Sequence, residues 1–159
     1  MLKRALVVFF ALSAPRAFAI HEAIIGFGSL NIGGTTGRAE WTLGYHYPLM
    51  EWLQVGGRLN GYFQSQPNTS VNQLDIYLGA TANYGGVSEG FFGELDMLIR
   101  TGGANGATTT DAASGFGFAL FLGKRFFLFG PIRARPNLGL VLQNGLSFVV
   151  QPIQLSVMF

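Results

Sequence analysis

The chain has 159 residues and a formal net charge of +2, with 49% hydrophobic and only 11% charged residues. It contains no cysteine, which excludes disulfides and thiolate metal sites. Lys3, Arg4 and Arg16 lie near the N-terminus, so the remainder holds seven basic against eight acidic residues. This remainder lacks the basic patch that nucleic-acid binding requires, and its length predicts one domain and no nucleic-acid partner.

Residues 1–19 have the pattern of a cleaved secretory signal peptide. Two basic residues precede a short apolar run, Pro15 interrupts it, and residues 17–19 read Ala-Phe-Ala, the small-x-small pattern of a cleavage site. The apolar run is shorter than the roughly 18–20 residues that span a bilayer as a helix. We predict that the mature domain comprises residues 20–159.

From Ile20 onward, apolar and polar residues alternate with a period of two and no helical period is present, which predicts an all-β domain. In chain order, the predicted strands cover residues 23–32, 38–47, 53–65, 72–84, 90–100, 116–125, 132–143 and 146–159. Turn signals separate them at residues 33–37, 48–51, 66–70, 85–89, 101–115, 127–130 and 144–145. Gly26 and Gly28 interrupt the first strand and predict a bulge. The 23 glycines are expected mainly in turns and bulges.

Alternation does not say which face points outward, and a soluble eight-stranded barrel with an apolar interior is the alternative to a membrane barrel. Residues 20–159 contain a single lysine, Lys124, whereas a solvated surface is normally rich in charge. Aromatic residues gather at one set of strand ends, as an interfacial girdle requires. This set comprises Tyr45, Tyr47, Trp52, Tyr84, Phe91, Phe126, Phe127 and Phe159. Both features favour a barrel whose apolar face contacts lipid.

The last strand places Ile153, Leu155, Val157 and Phe159 on one face and ends on an aromatic residue. It resembles the recognition strand of bacterial outer-membrane β-barrels. Together with the strand count, this makes the mature chain similar to the small eight-stranded barrels of the OmpA transmembrane-domain, OmpX and OmpW type. The resemblance implies an antiparallel up-and-down transmembrane barrel in the outer membrane of a Gram-negative bacterium. It also implies two partners, the membrane lipid and the barrel-assembly machinery, which would bind the last strand as an insertion signal.

The polar face carries charges of both signs, which we expect to pair because an unpaired charge in a narrow barrel is costly. The predicted lumen network comprises Glu40, Arg58, Asp75, Glu94, Asp96, Arg100, Arg133 and Arg135. An eight-stranded interior is only just wide enough for side chains, so the expected result is a plugged barrel.

Catalysis is not expected, nor is a cofactor or a metal. Only His21 and His46 are present, His21 is expected to be flexible near the mature N-terminus, and His46 shares a face with Glu40 and Thr42 without a positioned nucleophile. The leading hypothesis is a non-enzymatic barrel with an envelope-structural or surface-interaction role, with the loop at 101–115 as the predicted contact for a surface partner. The same loop has the alternative interpretation of a tolerated connection. A small pore or conduit for small or hydrophobic solutes is the rival function, and a lipid A modifying enzyme is a remote one.

Overall fold

The computed structural model describes residues 20–32, 38–66, 69–105 and 114–159. They form ten β-segments: β1 Glu22–Ile32, β2 Arg38–Met50, β3 Leu53–Gln66, β4 Thr69–Tyr84, β5 Gly90–Asn105, β6 Gly115–Phe129, β7 Ile132–Ala134, β8 Asn137–Leu142, β9 Leu146–Gln151 and β10 Gln154–Met158. β7 and β8 are the two halves of the seventh barrel strand, and β9 and β10 are the two halves of the eighth. None of these residues forms a helix long and apolar enough to cross a membrane.

The sheet closes on itself. Each barrel strand pairs with the next in antiparallel register, and β1 pairs with β2 on one side and with β9 and β10 on the other. The predicted class, an eight-stranded antiparallel up-and-down barrel, is therefore confirmed. In the described part of the chain, closure leaves no strand without a neighbour on either side, so the strands make their ladder hydrogen bonds within the wall.

Several strands run further than the alternation predicted. β2 continues through Pro48 to Met50, because a register shift between these two residues accommodates the proline. The predicted turn at 48–51 therefore reduces to residues 51–52. The predicted turn at 127–130 likewise reduces to residues 130–131, since β6 continues to Phe129.

The predicted long loop at 101–115 is also shorter than expected. β5 extends to Asn105 because residues 101–105 pair with β4, and Gly115 already belongs to β6. Backbone pairing needs no particular side chain, so a low-complexity segment can extend a hairpin. The polar loop predicted at 66–70 narrows in the same way, since β3 ends at Gln66 and β4 begins at Thr69. The signal peptide at 1–19 and the turn at 33–37 lie outside the described residues.

Two local predictions are confirmed by the backbone. The register of β1 against β2 shifts between Phe27 and Ser29, and Gly28 between them has a φ of 76°, as a bulge requires. Asn144 and Gly145 have φ values of 52° and 140°, so the tight turn between β8 and β9 uses residues that tolerate positive φ.

The wall is apolar outside and polar inside. Exposed apolar side chains occur on every barrel strand, for example Phe27 on β1, Leu95 on β5 and Leu138 on β8. The buried side chains are mostly polar or charged, and the largest fully buried ones are Arg58, Arg125 and Arg135. This distribution contradicts the soluble alternative with an apolar interior, and it is the arrangement that a lipid-embedded barrel requires.

The two ends of the barrel differ. Both ends of the described chain, Ile20 and Phe159, and the short turns at 51–52, 85–89 and 130–131 lie at one end, which we call the terminal end. The exposed aromatic residues of the predicted girdle also occur near this end of their strands. The other connections, between β1 and β2, β3 and β4, β5 and β6, and β8 and β9, lie at the opposite end, the loop end.

Candidate functional site

The most heavily charged part of the interior lies toward the terminal end, where β1, β6 and the seventh strand meet across the lumen. Arg125 donates from Nε and Nη2 to Oε1 and Oε2 of Glu22 at 2.8 and 2.6 Å, which makes this a bidentate ion pair. Arg135 Nε lies 3.3 Å from Glu22 Oε1. All three side chains are fully buried. Glu22 therefore neutralises parts of two guanidinium groups at once.

A second cluster lies next to the first and is joined to it by Glu94. Arg58 Nε is 2.7 Å from Glu94 Oε1, and Arg58 Nη2 donates to Asp96 Oδ2 at 2.8 Å. The other oxygen of Glu94 accepts from Arg135 Nη2 at 2.5 Å. Three arginines and three carboxylates thus form one continuous buried network in which the formal charges balance, as a low-dielectric interior demands.

Side-chain amides accept the remaining arginine donors. Asn83 Oδ1 accepts from Arg125 Nη1 at 2.6 Å, and Gln154 Oε1 accepts from Arg135 Nη1 at 3.1 Å. Gln151 Oε1 accepts from Gln154 at 2.9 Å and from Arg58 Nη1 at 3.3 Å. Because an arginine has five donors and a carboxylate cannot accept all of them, these amides are needed to satisfy the network.

The guanidinium groups of the three arginines lie over buried aromatic rings. The Arg58 guanidinium carbon lies 4.2 Å from the Phe121 ring centroid, and Arg125 and Arg135 lie 4.7 and 4.0 Å from that of Phe92. Both rings are buried. Cation–π contacts of this kind strengthen when the groups are removed from water, so the rings fix the arginines as well as fill space.

Glycines make room for these large side chains, which the sequence-based expectation of turns and bulges missed. Gly44 pairs directly with Arg58 across β2 and β3, and a Cβ on Gly44 would lie 2.7 Å from Arg58 Cγ. Gly139 pairs with Phe121, and its Cβ would lie 2.4 Å from that ring. Small residues opposite large ones let the layers interdigitate in a narrow barrel.

Toward the loop end the interior changes character. Next to Arg58 lies a buried apolar cluster of Tyr77, Leu98, Ala119, Phe121 and Val141. Beyond it, Arg100 donates from Nε and Nη2 to the two oxygens of Asp75 at 2.7 Å each. The Arg100 side chain is 21% exposed, so this pair retains contact with solvent. Side chains therefore fill the interior at successive levels.

Seven of the eight predicted network residues lie in the interior, in two groups. Arg58, Glu94, Asp96 and Arg135 lie in the continuous network. Asp75 and Arg100 form the separate pair near the loop end, and Glu40 lies within electrostatic reach of Arg100.

Arg133 is the exception, and the prediction that it bridges a carboxylate across the lumen is wrong. Its guanidinium donates to the carbonyl oxygens of Ser88, Gly130 and Ile132 at 2.9, 2.7 and 3.1 Å. The reason is position: β7 begins at Ile132, so Arg133 lies at the rim, between two turns, rather than inside the barrel.

The sequence analysis missed three members of the interior. Glu22 lies one residue before the predicted first strand, and Arg125 follows the inward alternation of Phe121 and Gly123, which would have identified it. His46 was noted only as sharing a face with Glu40 and Thr42, yet its Nδ1 is 3.4 Å from Glu22 Oε2 and its Nε2 is 3.8 Å from Glu94 Oε1. Extending the first predicted strand by one residue would have found Glu22, and following the alternation within the predicted strands 38–47 and 116–125 would have placed His46 and Arg125 inside the barrel.

The expectation that His21 is flexible is also wrong. Its backbone N–H donates to the Phe159 carbonyl at 2.9 Å, and the Phe159 N–H donates back at 3.1 Å. The His21 ring stacks on the Phe159 ring and its Nδ1 lies 2.5 Å from the Tyr45 hydroxyl. The first and last strands are neighbours in the closed barrel, so backbone hydrogen bonds join the two ends of the described chain.

The interior offers little reactive chemistry. Thr81 Oγ1 lies 3.4 Å from His46 Nδ1, so a hydroxyl, an imidazole and carboxylates do meet. All of these groups are buried, with Thr81 1% and His46 2% exposed, and a substrate would have no path to the hydroxyl. Within the described part of the chain, no group of three His, Asp or Glu residues has the arrangement to hold a metal ion.

Comparisons with known proteins bear on the fold. No protein-family model matches the chain, and no curated protein matches its sequence. Among solved structures, Neisserial surface protein A is similar with a TM-score of 0.61 and 10% identity, over 89% of this chain and 96% of that one. The N-terminal β-barrel domain of Pseudomonas aeruginosa OprF gives 0.59 and 11%, over 89% and 96%. Yersinia pestis Ail gives 0.58 and 10%, over 89% and 97%.

These identities are too low to transfer a function, but the shared architecture covers nearly the whole barrel. The chain therefore has the fold of the small eight-stranded outer-membrane β-barrels.

Proposed function

We propose that this chain is an integral outer-membrane barrel of a Gram-negative bacterium, with a non-enzymatic role in envelope structure or surface interaction. The observation that carries the proposal is the interior itself: Arg58, Arg125 and Arg135 occupy the lumen with their carboxylate partners and are at most 1% exposed. Such an interior holds the wall together and leaves no room for a wide aqueous path.

The outer surface supports the membrane location. Exposed large apolar residues occur all around the wall, and a soluble monomer rarely exposes so large a continuous apolar area. A closed barrel is one of two structures that can cross lipid with its backbone satisfied. Membrane lipid is therefore the first proposed partner.

A surface partner is proposed at the loop end, where the loop predicted at 101–115 reduces to a connection between Asn105 and Gly115. One structure of Ail is a complex with the heparin analogue sucrose octasulfate. The connections of this chain at the loop end contain no Lys or Arg and a single acidic residue, Asp111. Their composition favours a neutral contact surface over recognition of a sulfated ligand.

The last strand is proposed to bind the barrel-assembly machinery. Ile153, Leu155, Val157 and Phe159 point outward, and Phe159 is 67% exposed. Deleting Phe159 is expected to reduce the amount of barrel in the outer membrane several-fold in cells while leaving refolding into detergent largely intact. Equal loss in both assays would mean that Phe159 acts through stability rather than recognition.

Single-channel recording from the purified protein in planar bilayers tests the plugged barrel. A silent bilayer is expected from protein whose heat-dependent gel shift demonstrates folding. Discrete, reproducible openings would favour the rival function, a small pore or conduit, and would require the network around Glu94 to rearrange.

A further inference from the structure

A groove of about 680 Å³ lies in the outer wall where the seventh and eighth barrel strands are both interrupted. Its lining is almost entirely apolar and includes the outward residues Phe91, Leu122, Phe126, Leu138, Val150 and Pro152. The volume falls within the roughly 300–1,000 Å³ of ordinary ligand sites. The groove is therefore a concave apolar feature of the outer wall.

Two prolines explain why the groove forms here. Pro136 separates β7 from β8 and Pro152 separates β9 from β10, and neither can donate a ladder hydrogen bond. Pairing resumes on each side, with Asn137 opposite Gln151. The wall stays closed at the gap, because Arg135 N–H donates to the Gln154 carbonyl at 2.8 Å. The depression is thus built into the strands and does not depend on a mobile loop.

A single cation lies at the edge of this groove. Among the outward strand positions whose side chains the structure describes, Lys124 is the only charged residue. Its Nζ lies 5.0 Å from the ring centroids of both Phe91 and Phe126, and no carboxylate lies within ion-pairing distance in the described part of the chain. A lysine on a lipid-facing wall is tolerated near the interface, where the headgroup phosphates are.

The position of Lys124 relative to the two ends of the barrel identifies the membrane leaflet that it faces. Lys124 pairs with Phe91 close to the terminal end, which has both ends of the described chain and the short turns. Short turns face the periplasm in outer-membrane barrels. On the proposed membrane location, Lys124 therefore lies at the periplasmic headgroup level, where the lipid is phospholipid rather than lipopolysaccharide.

We propose that this groove binds one anionic phospholipid of the periplasmic leaflet, with an acyl chain between Leu122 and Val150 and the phosphate at Lys124 Nζ. The apolar lining supplies burial for the chain, and the lysine is a flexible point charge suited to a phosphate. The site makes this lipid a specific ligand rather than bulk solvent for the barrel.

Native mass spectrometry of the membrane-extracted protein in a neutral detergent tests the charge. Phosphatidylglycerol is expected to give a discrete one-to-one complex that phosphatidylcholine of the same chain length does not give. Lys124→Gln should weaken the phosphatidylglycerol complex about fivefold, the factor that one lysine near an anionic bilayer surface supplies. Lys124→Arg, which keeps the charge, should retain it.

A second pair of variants tests the groove. Val150→Phe fills it and should reduce the complex while leaving Lys124 in place. Val55→Phe makes the same substitution at an outward position of β3, opposite the exposed Tyr47 and outside the groove, and should have no effect. Each variant must first show the heat-dependent gel shift of a folded barrel.

Equal binding of the two lipids, an unaffected Lys124→Gln complex, or displacement of phosphatidylglycerol by equimolar lipid A would each overturn the proposal. These results would leave the proposed barrel function intact, because bilayer silence and folding are measured independently.

Discussion

Two arginine–carboxylate pairs in this barrel have nearly the same geometry and very different surroundings. Arg125 binds both oxygens of Glu22 with both side chains 0% exposed, whereas Arg100 binds both oxygens of Asp75 with the arginine side chain 21% exposed. The first pair belongs to a network with no access to water, and the second can exchange its partner for water. Because the contact geometry is nearly the same, burial sets what each pair contributes to stability.

The largest expected effect is that of Glu22→Gln. It leaves Arg125 and Arg135 with much of their charge uncompensated, and an arginine cannot relieve this by losing its proton. We expect a loss near the top of the roughly 3–5 kcal/mol that breaking a buried pair costs. Urea unfolding in lipid vesicles, followed by tryptophan fluorescence, measures it. A loss of stability smaller than that of Asp75→Asn would show that burial does not set the contribution of these two pairs.

Arg58→Met is expected to cost less, about 3 kcal/mol, at the lower end of that range. The methionine keeps much of the stem volume, Glu94 retains Arg135, and Asp96 can take up a proton once its partner is gone. The same unfolding assay applies. A larger loss than that of Glu22→Gln would contradict the expectation that an unpaired buried arginine costs more stability than an unpaired buried carboxylate.

Gly44→Ala tests the packing that allows the network to form. Its Cβ would lie 2.7 Å from Arg58 Cγ, so the Arg58 side chain must shift, and overpacking of this kind costs about 1–3 kcal/mol. Gly93→Ala is the matched control, because its Cβ would meet only Leu122 Cδ2, at 3.4 Å. Similar losses from the two alanines would point to backbone effects of glycine rather than to the space beside Arg58.

The smallest effect is expected from Asp75→Asn. Water can reach Arg100 at the loop end, so losing the charge of its partner should cost about 1 kcal/mol, as for partly exposed pairs. High salt should reduce the difference between wild type and Asp75→Asn, and should leave that between wild type and Glu22→Gln nearly unchanged. If salt does not change the effect of Asp75→Asn, the Asp75–Arg100 pair is as inaccessible to water as the Glu22–Arg125 pair.

Much of the fold could be read from the sequence because a barrel wall repeats one rule. Outward residues such as Leu95 and Leu138 and inward residues such as Glu94 and Asn137 follow directly from the period of two. Strand ends were less predictable. Residues 101–105 look like a loop in composition, but they pair with β4 because the hairpin can continue wherever two backbones remain adjacent.

The partners within the interior could be predicted only in part. Arg58 and Glu94 were expected to find opposite charges, yet nothing in the sequence pairs Glu22 with Arg125 across 103 positions. Arg133 shows the limit clearly: its alternation places it with Arg135, but it lies at the start of β7 beside the 130–131 turn, where it binds carbonyl oxygens at the rim. Register and strand length decide such cases.

The class of the molecule could be read from the sequence alone: side chains on a strand can point only two ways, and the scarcity of lysine together with the aromatic girdle assigned the apolar face to the outside. Tertiary structure decided which charges meet, which glycines oppose Arg58 and Phe121, and where two proline breaks coincide to form a groove beside Lys124. Those features depend on closure and on the register between strands, since both bring together residues that are far apart in the chain.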